Sequence, residues 1–157
     1  MFKFLNDCRE IEELASKTYL HLSKNKSYPS ELINLFAELS KDESSHARNI
    51  DVVIPADEKD LDAHLTVSWE KINDAKKTAK KFCAIAESGI LDEEKALRMS
   101  VEMEQKFLKV HLQNVLDFQN PKLSAMFEGL GHEDKEHINK LKDCIVWWKS
   151  ERKSSLA

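Results

Sequence analysis

The stretch Leu35-Phe36-Ala37-Glu38-Leu39-Ser40-Lys41-Asp42-Glu43-Ser44-Ser45-His46 returns, altered but in register, as Met126-Phe127-Glu128-Gly129-Leu130-Gly131-His132-Glu133-Asp134-Lys135-Glu136-His137. His46 falls on His137, Glu43 on Asp134 and Leu39 on Leu130. Upstream of each copy lies a second matched pair, Glu10-Ile11-Glu12-Glu13 and Glu102-Met103-Glu104-Gln105, with Tyr19 seven residues after Glu12 and His111 seven after Glu104. In the first copy Leu32, Leu35, Leu39, Glu43, His46, Ile50 and Val53 recur by threes and fours, the pattern of a helix with one buried stripe. In the second copy Leu123, Met126 or Phe127, Leu130, Asp134, His137, Leu141 and Trp148 repeat it. The acids and histidines therefore sit inside the apolar seams.

Working outward, five helical segments are predicted, over about 4–24, 30–54, 66–87, 92–118 and 121–150. Pro29 and Ser30, a candidate N-cap, open the second, and Pro55 with the acidic run from Asp57 to Asp62 closes it. The third carries a narrower stripe of Trp69, Ile72, Lys76, Ala79, Phe82, Cys83 and Ala86 and stops at Gly89. Asp92 can cap the fourth, and Asn120-Pro121 starts the fifth, since proline in the first turn loses no hydrogen bond. Short loops make antiparallel hairpins of segments one and two and of four and five. The third segment, at about 1.5 Å per residue, reaches roughly 33 Å and can carry the chain from one end of a bundle to the other. The expected fold is all-α: one domain over 1–157, a four-helix bundle of two hairpins joined by a long helical crossover.

Composition narrows the function. Charged residues make up 33% of the chain, with 28 acidic and 24 basic residues interspersed, so no basic face awaits a phosphate backbone and nucleic-acid binding is not expected. No apolar run is long enough for a membrane span, and Met1 to Asp7 turns polar too early for a signal peptide. Cys8, Cys83 and Cys144 form no C-x-x-C pair and read as small apolar core residues of a reducing compartment. The expected location is the cytoplasm.

On a helix, Glu43 and His46 share one face within a turn, as do Asp134 and His137. When the two seams face each other, these four converge with Glu12 and Glu104 at mid-bundle. Four carboxylates and two imidazoles cannot stand bare in an apolar core, where each unpaired charge costs several kcal/mol. Two divalent cations neutralise the set. Oxygen-rich ligation with one imidazole per ion suits iron or manganese, and zinc fits as well.

These residues resemble the ferritin-like di-iron carboxylate proteins, in particular the rubrerythrin and bacterioferritin branch, in which two helices each give a Glu and two give Glu-x-x-His. The resemblance implies two iron ions, with Glu12 and Glu104 as terminal ligands, His46 and His137 binding one ion each, and Glu43 bridging. Asp134 stands where that family has glutamate, one methylene shorter. A further family acid on the third bundle helix has only Val101 and Phe107 as counterparts here. The implied activity is reduction of peroxide or O2, or oxidation of Fe(II), with electrons from a separate protein because no rubredoxin motif is present. A homodimer or larger homo-oligomer is implied too. Alternatives are a catalytically weakened scaffold serving as a metal-binding or assembly module, and a ferritin-type iron-storage subunit.

Around that set, Tyr19 is a candidate catalytic group, on the ligand face and able to hydrogen-bond a ligand or supply an electron; as a plain core residue it needs only a partner for its hydroxyl. His111 reads as a residue beside the core. Trp69, Trp147 and Trp148 read as packing or interface residues, His21, His64 and His132 as surface residues, and Glu133 and Glu136 as pointing off the seam. Gly129 and Gly131 read either as room for a peroxide channel or as a loosened turn.

Overall fold

The computed structural model describes residues 2–54, 69–113 and 120–156. They form five helices: α1 (Phe2–Ser23), α2 (Ser30–Val53), α3 (Trp69–Ser88), α4 (Glu93–Gln113) and α5 (Pro121–Ser155). The predicted starts of the third segment at 66 and the end of the fourth at 118 lie outside the described residues, as does His64. The last helix runs five residues beyond the expected 150.

Helix starts follow local chemistry. Asp92 Oδ1 accepts the Lys95 amide at 2.8 Å ahead of α4, and Asn120 Oδ1 accepts the Lys122 amide at 2.9 Å with Pro121 in the first turn of α5. Ser30 is a correction: the cap position is Pro29, with no side-chain cap, and Ser30 already lies inside α2. Gly89, at φ 74°, takes the left-handed conformation that ends α3.

Helices α1 and α2 pack as an antiparallel hairpin, and so do α4 and α5. Arg9 near the start of α1 pairs with Asp51 near the end of α2 at 2.8 Å. Midway, Ser16 Oγ donates to the Ser40 carbonyl and Ser40 Oγ to that of Ser16, at 2.8 and 2.9 Å, which draws the two helices close where the side chains are small. Helix α3 lies against both α1 and α4, while α2 meets α5. Lys76 of α3 holds Asp7 and Glu10 of α1 at 2.9 and 2.7 Å, and Lys106 of α4 holds Asp74 of α3 at 3.0 Å. The crossover helix thus covers the α1–α4 side of the bundle and leaves the α2–α5 side uncovered by it.

The core is a continuous apolar cluster that includes Phe4, Ile11, Tyr19, Phe36, Leu39, Phe82, Phe107, Phe127 and Leu130. In α2 the buried residue of the second turn is Phe36 rather than Leu35, and in α5 it is Phe127 rather than Met126. Cys8 is buried, whereas Cys83 and Cys144 are half-buried. Gly131 serves packing rather than a channel, because a Cβ there would fall inside the Leu112 side chain of α4, while one on Gly129 would meet nothing. Gly131→Ala is expected to lower stability by about 1–3 kcal/mol through overpacking, and Gly129→Ala to raise it by up to about 1 kcal/mol through helix propensity. Thermal unfolding of the pair checks this contrast.

Candidate metal centre

The two seams meet at mid-bundle. Glu12 of α1, Glu43 and His46 of α2, Glu104 of α4, and Asp134 and His137 of α5 are all buried, four of them wholly. His46 Nδ1 lies 3.1 Å from Glu43 Oε2 and 3.5 Å from Glu12 Oε2. His137 Nδ1 lies 2.8 Å from Glu43 Oε1 and 3.6 Å from Glu104 Oε2. Two groups able to hold an ion result, Glu12–Glu43–His46 and Glu43–Glu104–His137, and they share Glu43. Ligand atoms at right angles on an ion with bonds of about 2.1 Å stand about 3.0 Å apart, and tetrahedral ones about 3.4 Å. The observed separations, from 2.8 to 3.6 Å, span those values, and His46 Nδ1 and Glu43 Oε2 are also hydrogen-bonded.

Much of the donor set also lacks hydrogen-bond partners. Glu12 Oε1 and Oε2, Glu43 Oε1, Glu104 Oε2, His111 Nε2, Asp134 Oδ1 and His137 Nδ1 are buried with no hydrogen bond, and among the described residues only Arg9 Nε shares that condition. Native proteins rarely leave buried polar atoms unpaired. Such a concentration at one point is what cations would satisfy, and hard carboxylate oxygens with imidazole nitrogens fit iron, manganese or zinc.

His111, read from sequence as a residue beside the core, is instead part of the cluster. It is fully buried, with Nδ1 donating to Asp134 Oδ2 at 2.6 Å and Nε2 lying 3.1 Å from Glu12 Oε1. Tyr19 donates its hydroxyl to Glu104 Oε1 at 2.5 Å. The duplication is therefore reciprocal in space: the residue seven after Glu12 touches Glu104, and the residue seven after Glu104 touches Glu12. Asp134, too short to follow Glu43 into both groups, turns to His111 and Glu12. Phe107 and Phe127 pack against His111, with ring centroids 6.5 and 5.8 Å away.

A second correction concerns Glu133. Although half exposed, its Oε2 pairs with Nε2 of His46, and Asp42 Oδ2 accepts from Nε2 of His137 at 3.2 Å. Each histidine thus aims Nδ1 inward while a carboxylate from the opposite hairpin fixes its outer nitrogen, the arrangement that sets tautomer and ring direction in metal sites. Asp42 precedes Glu43 as Glu133 precedes Asp134, so the duplicated register held this signal too. Glu136, by contrast, pairs with exposed His132 at 3.3 Å, as a surface residue. Asp42→Asn and Glu133→Gln are each expected to weaken metal affinity about 10–100-fold while leaving the stoichiometry intact; equilibrium titration with Co(II) reads this directly.

Burial and charge set the protonation of the metal-free cluster. Burial pulls the imidazoles down, but the surrounding carboxylates prevail and raise His46 to about 12, His137 to about 11 and His111 to about 10. Burial raises Glu104 to about 7, helped by the charge on Glu43, and Asp134 to about 6 against the pull of His111. Burial would raise Glu12 as well, but the adjacent Glu43, His111 and His46 together prevail and bring it down to about 2. Tyr19 and Cys8 are both held well above their usual values, first by burial and then by neighbouring carboxylates, so both stay protonated.

A pocket borders the histidines on the α2–α5 side. It measures about 130 Å³ and is lined by Asp42, Ser45, His46, Asn49, Glu133, Glu136, His137 and Lys140. No helix among the described residues is long and apolar enough to cross a membrane.

No curated protein and no solved structure matches the chain. A family model described as Rubrerythrin matches residues 3–145, which takes in both hairpins and all seven clustered residues. The chain belongs to the rubrerythrin family.

Proposed function

We propose that this chain is a non-haem di-iron carboxylate oxidoreductase that reduces peroxide or O2, or oxidises Fe(II), with electrons supplied by a separate protein. The observation that carries the reading is Glu43, whose two oxygens face two histidines on opposite helices: Oε2 towards His46 and Oε1 towards His137. Glu12 and His46 complete one position, and Glu104 and His137 the other. Bound there, a di-iron pair supplies two electrons to a small oxidant.

The chain's own residues prepare the place for that chemistry. Asp42 and Glu133 keep Nδ1 of each histidine directed inward. Tyr19, with its proton held, donates to Glu104 Oε1 and so fixes one carboxylate oxygen while leaving Oε2 for an ion. Its phenol is an oxidisable group hydrogen-bonded to the cluster, and Tyr19 is proposed as a proton or electron donor on that account. The apolar packing of Phe107, Phe127 and Leu39 keeps bulk water from the inner face, and the small pocket between α2 and α5 admits a diatomic or peroxide-sized molecule.

The test is direct. Protein loaded anaerobically with Fe(II) is expected to hold at least two ions per chain and to consume peroxide with oxidation of two Fe(II) per molecule, far faster than free Fe(II). Two bound ions with turnover no faster than free iron would instead favour a scaffold that has kept its ligands and lost its activity. Size-exclusion chromatography distinguishes a dimer from a storage shell.

A further inference from the structure

We propose that the groove between α2 and α5 is the docking surface for the electron donor, and that the donor is a small redox protein with basic residues around its exposed cofactor edge. The inference rests on the oxidoreductase reading and adds to it the place and the charge of the partner.

Three cavities on this side of the bundle run into one another. The pocket over His46 and His137 shares Lys140 with a more apolar one of about 460 Å³, floored by Leu35, Cys144 and Trp147. That cavity shares Glu31 and Trp147 with a third of about 510 Å³ beside Trp148. Together they are lined by eight acids, Glu31, Glu38, Asp143 and Glu151 among them, against two basic residues, Lys140 and Arg152. Eight less two leaves six formal negative charges here, more than the net −4 of the whole chain. Both basic groups are already engaged, Lys140 with Glu38 across the groove at 2.6 Å and Arg152 over the Trp148 ring at 4.8 Å. An apolar floor within a charged rim is the composition of a protein interface, and the sign of the rim selects a basic partner. A second copy of the chain is disfavoured, because a two-fold contact sets the same patch against itself and would oppose acids to acids.

The groove also ends where electrons are needed. Nε2 of His46 and of His137 turn to Glu133 and Asp42, which line the same pocket. Electron transfer slows steeply with distance, and a donor seated here reaches an ion held at Nδ1 through one imidazole ring. Helix α3 covers the other side, over α1 and α4. Per peroxide, two donor molecules are each oxidised by one electron, two protons are taken up, and the O–O bond breaks to give two waters. Encounters of this kind are small, transient and steered by charge.

The probe is a basic c-type cytochrome in its ferrous state, added to the full chain loaded with diamagnetic Zn(II). Amide shifts are expected on α2 and α5 around Leu35, Glu38, Asp143 and Trp147, and should fade as salt rises from about 0.02 to about 0.3 M. Asp143→Lys with Glu151→Lys, both at exposed positions, should abolish the shifts. In iron-loaded protein the same pair should slow peroxide-driven oxidation of the cytochrome at least about tenfold at low salt, while leaving ion content and peroxide turnover with hydroquinone unchanged. Shifts that fall elsewhere, persist in salt or arise equally with an acidic ferredoxin would overturn the proposal. So would shifts of the same residues on dilution of the protein alone, with a dimer in size-exclusion chromatography, which would make the groove a contact between copies. Turnover with hydroquinone but no response to the cytochrome would overturn the docking surface and leave the oxidoreductase reading standing. No peroxide turnover with either reductant would bring down both.

Discussion

Glu43→Ala is expected to cost the protein both ions of the dinuclear pair and to reduce peroxide turnover to that of free iron. The reason is geometric. No other carboxylate belongs to both groups: Glu12 serves only the His46 side of the pair, and Glu104 only the His137 side. Losing a terminal acid such as Glu104 leaves one ion with its own carboxylate and imidazole, so Glu104→Ala should retain about half of the pair. Losing Glu43 strips a ligand from each ion at once and removes the charge that lets two cations lie side by side. Removal of carboxylates that merely orient ligands already costs about 10–100-fold in affinity, and a shared ligand must cost more. The same contrast reads out in stability. Ligand at about 100 times its dissociation constant contributes about 2.7 kcal/mol per site, so two ions contribute about 5 kcal/mol. At roughly 2–4 °C per kcal/mol for a domain of this size, Zn(II) should raise the wild-type melting temperature by about 10–20 °C. It should raise that of Glu43→Ala by little. An alanine variant that keeps two ions per chain and the full thermal gain would remove Glu43 as the bridge.

Much of this centre was legible before any coordinates, because a duplication preserves spacing even where it changes residues. Glu12, Glu43, His46, Glu104, Asp134 and His137 each stand in a seam whose apolar members bury it, and helical periodicity alone brings them to one level of the bundle. The finer facing was not legible. The buried stripe drifts about 20° per heptad on a 3.6-residue helix, so Phe36 turns inward where the spacing favoured Leu35. His111 was undervalued since a lone histidine seven residues from a glutamate has no sequence partner; Asp134, 23 residues on, becomes its partner only through the α4–α5 hairpin. Glu133 was misplaced for a related reason. A helical wheel puts it beside the seam, and a long side chain reaches from there across the α2–α5 face. Helix caps were mixed: Asn120 and Asp92 cap as their side chains allow, whereas Pro29 takes the place expected of Ser30.

The duplication explains the frame, and its exceptions explain the asymmetry. Tyr19 and His111 are equivalent by position and differ by chemistry, since a phenol can only hold Glu104 whereas an imidazole offers a second nitrogen. The change from glutamate-type reach at Glu43 to the shorter Asp134 falls in the same half of the bundle as His111. One half therefore keeps a carboxylate shared by two groups, and the other replaces it with a histidine–aspartate pair.

Loading with metal should stabilise the protein strongly at about pH 8 and hardly at all at about pH 5, because the same atoms bind protons. In the metal-free fold His46, His137 and His111 are raised to about 12, 11 and 10. Their stabilising contribution is complete below their unfolded value of about 6.5 and is lost as pH rises through those folded values. Glu104 and Asp134, raised by burial to about 7 and about 6, likewise favour the fold while protonated, so their contribution falls as pH climbs from about 4 through 6 and 7. Glu12, lowered to about 2, acts oppositely and withdraws its contribution only as pH falls from about 4.5 towards 2. Metal-free protein should thus be most stable near pH 4–5 and weaken towards neutrality. Ions require neutral imidazole and ionised carboxylate, so each proton displaced lowers affinity about tenfold per pH unit of acidification. Calorimetric melts of metal-free and Zn(II)-loaded protein at about pH 5, 6, 7 and 8 should diverge steadily as the metal-free curve declines and the loaded one rises. A metal-induced gain that stays level across that range would mean that no protons are displaced, and hence that these buried acids and imidazoles are not the ligands.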